Sequence, residues 1–120
     1  MRVPNTVRGM RDLLPEDLTK RQKVEAVIQE LFRLYGYKEV RTPVLESYSL
    51  LSAKAGEEIR HRMYVFKDLS GRQVALRPEM TASVARLVAG KLRSEAKPLR
   101  IGYFADCYRY DNPQMGRYRE

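Results

Sequence analysis

Apolar residues recur at helical spacing early in the chain: Val24, Val27, Ile28, Leu31, Phe32 and Tyr35. Steps of three and four put them on one stripe of an α-helix. Pro15 suits a first turn, Glu16 and Asp17 suit the positive end of the helix dipole, and Gly36 marks a stop. The pattern predicts a helix over about 15–35. A short strand is expected over 37–42, ended by Pro43. Segment 45–51 is open between a turn of helix and a loop, and the polar stretch 54–63 is expected to be mobile. Segments 63–67 and 73–76 flank Asp68-Leu69-Ser70-Gly71 and form a candidate hairpin. Met80, Val84, Leu87, Val88 and Leu92 return to helical spacing, which predicts a second helix over about 80–92 after Pro78. Segment 99–108 is apolar on both faces, as a central strand would be. Segment 110–120 is polar, holds Asn112-Pro113 and Gly116, and is expected to leave the sheet. The order helix, strand, hairpin, helix, strand predicts an α+β fold, mainly antiparallel sheet flanked by helices, with no regular βαβ winding.

Composition adds a class. With 43% hydrophobic and 32% charged residues the chain is globular, not disordered. Its length of 120 residues fits one domain. A net charge of +8 favours polyanionic partners such as RNA, DNA or nucleotides, although a surface simply rich in Lys and Arg has the same sum. Cys107 is alone and His61 is alone, which excludes an internal disulfide and a Cys/His metal set and fits a cytoplasmic setting. Cys107 is expected to be a buried inert thiol and His61 a solvated surface residue. The first residues lack the apolar core of a signal peptide, and no apolar run approaches the ~20 residues of a membrane span. Tyr118-Arg119-Glu120 carries neither a cap nor a turn signal, so the chain is expected to be a piece of a longer protein.

Two segments carry candidate chemistry. In Arg109-Tyr110-Asp111-Asn112-Pro113-Gln114-Met115-Gly116-Arg117-Tyr118-Arg119, an arginine ends an apolar strand and two more follow a turn. A guanidinium is permanently charged and offers a planar fork of donors. Beside a buried strand it needs an anion, either a phosphate or a local carboxylate such as Asp106 or Asp111. Strand parity places Arg109 with Ile101, Tyr103, Ala105 and Cys107. In Arg77-Pro78-Glu79-Met80-Thr81-Ala82, a carboxylate lies where a strand hands over to a helix N-terminus. Such a group can hold an ammonium ion, or it can cap the helix, as Thr81 can. The chain has no Ser-His-Asp candidate and no Gly-x-x-x-x-Gly-Lys-Ser/Thr loop, so any ATP site is of another kind.

Together these segments resemble the histidyl-tRNA synthetase family of class II aminoacyl-tRNA synthetases. Arg8-Gly9-Met10-Arg11-Asp12 with Pro15 is similar to that family's N-terminal signature. The long helix followed by Val40-Arg41-Thr42-Pro43-Val44-Leu45-Glu46 looks like class II motif 1, which implies a homodimer interface at Arg41 and Pro43. Leu76-Arg77-Pro78-Glu79-Met80-Thr81 resembles the family's Arg-Pro-Glu-x-Thr element, and 108–120 looks like motif 2. The resemblance covers nearly the whole chain, and four motifs in order are more specific than any one of them. It implies an N-terminal portion of a class II catalytic domain over 1–120. The implied reaction joins L-histidine to ATP, with Mg2+ bound through ATP and no protein ligand identified for it. Histidyl-adenylate then passes its histidyl group to tRNA(His). By motif, Arg109 is implied at the α-phosphate as the catalytic residue, also close to histidine. Arg117 is implied at the distal phosphates, with Asp111 and Arg119 in the ATP-binding set. Glu79 is implied at the histidine α-ammonium with Met80 and Thr81 beside it, and Gln114 near the tRNA acceptor end. These residue types suit the chemistry, because a carboxylate is already a nucleophile at neutral pH and catalysis is positioning plus phosphate neutralisation. Asp111 stands where motif 2 often has Glu, a form similar to archaeal and eukaryotic members. The motif 2 return strand, motif 3, the histidine-specificity segments and an anticodon-binding domain are expected beyond Glu120. Three alternatives stay open: the regulatory subunit of ATP phosphoribosyltransferase, another class II synthetase such as the prolyl or threonyl enzyme, and a basic RNA-binding module.

Overall fold

A computed structural model of the chain describes residues 2–112 and 117–120. Helix α1 spans Pro15–Leu34, with proline in its first turn, Glu16 and Asp17 at its positive end and Arg33 in its last turn. Its apolar stripe is only half covered. Ile28 and Phe32 turn inward, whereas Val24, Val27 and Leu31 remain exposed. Phe32 stacks on Tyr37 and meets Phe104, with ring centroids 5.9 and 5.7 Å apart. It also lies against Gly102, where an added Cβ would fall into the phenyl ring.

Strand β1 (Lys38–Glu39) is shorter than the predicted 37–42 and pairs with β5 (Ile101–Gly102). The pairing is parallel, a minor component beside the antiparallel sheet that the sequence predicts. A parallel partner needs a long crossover, and the whole of 40–100 supplies it. The second sheet is antiparallel in the order β2-β4-β3, with β2 Leu45–Ser47, β3 Val65–Lys67 and β4 Gln73–Leu76. The hairpin lies where the turn residues predicted it. The Asp68 carboxylate accepts from the Ser70 hydroxyl at 2.7 Å and from the Ser70 and Arg72 amides at 2.9 Å. These bonds, Ser70 first, hold its carboxyl below the ordinary value.

Segment 45–51 resolves into β2 and the short helix α2 (Tyr48–Ser52), whose first turn is capped by the Ser47 hydroxyl. The stretch 54–63, expected to be polar and mobile with no element assigned to it, contains helix α3 (Glu57–His61). Glu57 and Glu58 open it, Arg60 and His61 close it, and Ile59 anchors it to the core. A single apolar anchor gives no periodic signal, which is why the pattern missed it. Helix α4 (Thr81–Ala89) stops before the predicted residue 92. It is tied to β2 by Arg86, whose Nε and Nη2 donate to the buried Glu46 carboxylate at 3.1 and 3.0 Å.

The predicted central strand 99–108 is also corrected. Only Ile101 and Gly102 are in a ladder, and Tyr103, Ala105 and Asp106 are exposed. Beyond Gly102 the backbone is held by single bonds, from Tyr108 N to Arg77 O at 2.9 Å, Arg109 N to Arg119 O at 2.9 Å and Tyr110 N to Arg62 O at 2.7 Å. The second of these shows the chain returning alongside Arg109 within the described residues, whereas the return of motif 2 was expected only beyond Glu120.

The core is small: Leu51, Met63 and Ala75, with Tyr48, Ile59 and Ala82 packed around them. Leu51 is 3% exposed, so Leu51→Ala leaves a cavity that such a cluster has little means to close. The substitution is expected to destabilise the chain by about 2–5 kcal/mol, read as a lower urea midpoint at unchanged slope. An unmoved midpoint would contradict this placement of the core.

Candidate active site

The junction from β4 into α4 organises the site. Arg77 is 6% exposed, and its guanidinium meets backbone carbonyls. Nε donates to Asp106 O at 2.8 Å, and Nη1 donates to Thr42 O at 3.0 Å and Pro43 O at 3.4 Å. Its own amide donates to Val44 O at 3.0 Å, and its carbonyl accepts from Tyr108 N. One side chain thus fixes the 42–44 segment, the end of β4 and the 106–108 segment together. Pattern reading overlooked this role, because an arginine at a strand end looks the same whether it meets carbonyls or an anion.

Glu79 lies at the start of α4. Its carboxylate accepts from the Thr81 amide and, at 3.4 Å, from the Ala82 amide. The capping role open to Glu79 is therefore present, while Thr81 is exposed at the first helical position. A carboxylate has about four acceptor positions, so two amides leave room for an ammonium donor.

Arg109 and Glu79 both line an open cavity of about 800 Å³. Its Nε donates to Pro78 O at 2.9 Å. The two carboxylates considered as local partners are engaged elsewhere: Asp106 with Arg21 at 3.7 Å and Asp111 with Arg62 at 2.8 Å. Among the described residues no carboxylate pairs with Arg109, and its outer nitrogens make no hydrogen bond. Tyr103, Ala105, Cys107 and Arg109 line the same cavity, but so does Phe104 of the opposite parity, and Ile101 does not, so strand parity describes this segment only in part.

Arg117, Asp111, Arg119, Met80 and Thr81 also line that cavity. Arg117 is exposed there. Arg119 is 5% exposed, lies 3.6 Å over the Tyr110 ring and donates from Nε to Asp111 O at 2.8 Å. Arg41 lines a separate cavity of about 590 Å³ bounded by Arg21, Glu39 and Arg77, and Pro43 is exposed close by. Gln114, with the rest of 113–116, lies outside the described residues. No group of three His, Cys, Asp or Glu side chains could hold a metal ion among the described residues. His61 is exposed and 3.6 Å from Glu57, away from the cavity.

A histidyl-tRNA synthetase family profile matches residues 9–120. The chain belongs to the histidyl-tRNA synthetase family. Among relatives of known assignment, the histidine–tRNA ligase of Methanocaldococcus jannaschii is 55% identical over 113 residues, covering 94% of this chain and 27% of that protein. The Saccharolobus solfataricus ligase is 50% identical over 115 residues, covering 96% of this chain and 27% of its own length. The chain therefore spans about a quarter of the length of the curated relatives it matches. Among solved structures, apo Staphylococcus aureus histidyl-tRNA synthetase superposes with a TM-score of 0.78 at 36% identity, covering 90% of this chain and 30% of that one. A Bacillus halodurans protein, described as an ATP phosphoribosyltransferase regulatory subunit/histidyl-tRNA synthetase, superposes at 0.84 with 32% identity, covering 99% and 31%. The α+β class with an antiparallel sheet and flanking helices is thus the histidyl-tRNA synthetase class II catalytic fold, here in part. No helix of the described residues is long and apolar enough to cross a membrane.

The N-terminal segment 8–12 lies against the return segment that lines the cavity. Gly9 O accepts from Arg119 N at 2.9 Å, and Gly9 has φ +85°, a conformation that favours glycine. A Cβ there would fall into the Arg119 side chain. Gly9→Ala is expected to lose more than about 1 kcal/mol of stability and to displace Arg119. Denaturation at wild-type midpoint would contradict the placement of 8–12 against the return segment.

Burial pushes the Cys107 thiol above its ordinary value, with Arg77 and Arg109 opposing the shift. The thiolate is the reactive form, so Cys107 is expected to alkylate more slowly at pH 7 than in the urea-unfolded chain. Its rate should keep rising at alkaline pH after the unfolded thiol has levelled off. Equal rates at pH 7 would contradict the half-buried placement.

Proposed function

We propose that this chain forms the front part of the catalytic domain of a histidine–tRNA ligase, which activates L-histidine with ATP and transfers it to tRNA(His). The observation that carries the reading is the shared cavity, lined by a tethered guanidinium with no carboxylate partner among the described residues and by a carboxylate at a helix start. A zwitterionic amino acid and a polyphosphate call for those two kinds of group in one cavity. A histidine carboxylate oxygen attacks the α-phosphorus of ATP. The bond from that phosphorus to the bridging oxygen breaks, and pyrophosphate leaves with the electron pair. Arg109 meets the charge gathering on the α-phosphate oxygens, and its Pro78 tether sets the fork before reaction begins. Glu79 takes the α-ammonium, with Met80 and Thr81 forming its wall. Arg117 meets the distal phosphates, and Asp111 and Arg119 complete the ATP-binding set from the cavity floor. The 3′ hydroxyl of tRNA(His) then attacks the histidyl carbonyl and AMP leaves, with Gln114 near the acceptor end. Mg2+ enters bound to ATP. A homodimer seated on Arg41, Pro43 and the exposed Val24, Val27 and Leu31 of α1 is the proposed assembly. The cytoplasm is the proposed setting.

The retained arginines 109, 117 and 119 favour a ligase over a histidine-sensing regulatory subunit, which has no need to grip three phosphates. The test is histidine-dependent ATP–pyrophosphate exchange by a protein carrying this chain together with the remaining length of its relatives. Exchange with histidine and not proline is expected. Arg109→Ala should lose about 2.7–4 kcal/mol of transition-state stabilisation, seen mainly in kcat. Glu79→Ala should mainly raise KM for histidine. Exchange with proline alone, or unchanged kinetics in both variants, would refute the reading.

A further inference from the structure

Arg62 joins helix α3 to the candidate site through three contacts. It follows α3 directly, and its Nη2 lies 3.0 Å from Glu58 Oε1 within the helix. Its Nη1 donates to Asp111 Oδ1 at 2.8 Å, across 49 residues of sequence. Its carbonyl accepts from Tyr110 N at 2.7 Å. The Arg62 and Asp111 side chains are 41% and 14% exposed, so this pair is partly shielded from water, more so than the surface pair Lys20–Glu16 at 75% and 85%. The residues that Arg62 holds are built into the site. Asp111 N donates to Arg109 O at 2.8 Å, Asp111 O accepts from Arg119 Nε, and the Tyr110 ring lies under Arg119 and meets the edge of Tyr64.

Arg109 needs such support. Among the described residues no ladder runs beyond Gly102 on its strand, and the Arg109 guanidinium has one tether, to Pro78 O. A single hydrogen bond fixes a direction, and the backbone behind it is held by single bonds, Tyr108 N to Arg77 O and Arg109 N to Arg119 O, with no ladder to stiffen it. Arg62 adds to this restraint by holding both the amide of 110 and the carboxylate of 111. We propose that Arg62 is a positioning residue for adenylation: it holds 110–111 so that the Arg109 fork meets the α-phosphate, while Glu79 is fixed independently by the start of α4. The proposal rests on the histidine–tRNA ligase reading above. It assigns Arg62 no contact with either substrate.

The test measures histidine-dependent exchange in the full-length protein for Arg62→Gln, Asp111→Asn and the double variant, with folding checked by thermal melting. Each folded single variant is expected to lose about 10–100-fold in kcat while KM for histidine changes by less than about twofold. The double variant should be no slower than the worse single one, because both substitutions break the same link. A folded Arg62→Gln at wild-type kcat overturns the proposal, as do losses that multiply. A loss of melting temperature with kcat per folded molecule intact shows a merely structural role and also overturns it. Should Arg62→Gln not fold, Arg62→Lys must fall between wild type and Asp111→Asn, and a value outside that interval overturns it. Wild-type exchange tests the ligase reading separately from the variant ratios, and wild-type protein without exchange overturns both.

Discussion

A buried guanidinium that meets backbone carbonyls holds this part of the molecule together. Arg77 donates to carbonyls from 106 and 42–43 while its own main chain bonds to 44 and 108. Carbonyls disperse the positive charge without neutralising it, so the desolvation of Arg77 is offset by several partial charges. Removing the side chain would leave those carbonyls unpaired in a half-buried junction, at a cost of about 1–3 kcal/mol for each one left without a partner. The junction also sets the geometry of Pro78 and Glu79, which are joined directly to the fixed Arg77 backbone and have little freedom to leave it.

That geometry explains how opposite charges coexist in one cavity without cancelling. Arg109 is tethered by a neutral carbonyl, and the carboxylates near it in sequence are drawn to Arg21 and Arg62. Glu79 is occupied by helix amides, which fix its direction and leave acceptor positions open. Both groups are oriented by uncharged partners, the condition under which preorganised charge acts most strongly on a substrate. Direct pairing of Arg109 with Asp111 would have spent the same charges on each other.

The sequence disclosed the elements whose physics is local. α1, the hairpin and α4 announced themselves through periodicity, Pro15 and the Asp68 turn, and the family was legible from four short motifs in order. Three features were not legible. α3 has a single apolar anchor, Ile59. The 99–108 strand lost its ladder because its apolar residues face a cavity and an aromatic pair, not two flanking strands. The exposed half of the α1 stripe shows that apolar spacing marks a face but does not say what covers it. Within the site, residue types pointed to Arg109 and Glu79, but the roles of Arg77, Arg62 and Gly9 depend on partners 29 to 110 positions away, which spacing along one chain does not encode.

The most direct measurement is a crystal structure of the full-length protein bound to a non-hydrolysable histidyl-adenylate analogue. The account predicts the analogue's phosphate-like oxygens on the outer nitrogens of Arg109, its ammonium on Glu79, and the Arg109–Pro78 bond intact. An analogue bound elsewhere, or an Arg109 swung onto a carboxylate with the ligand in place, would contradict it.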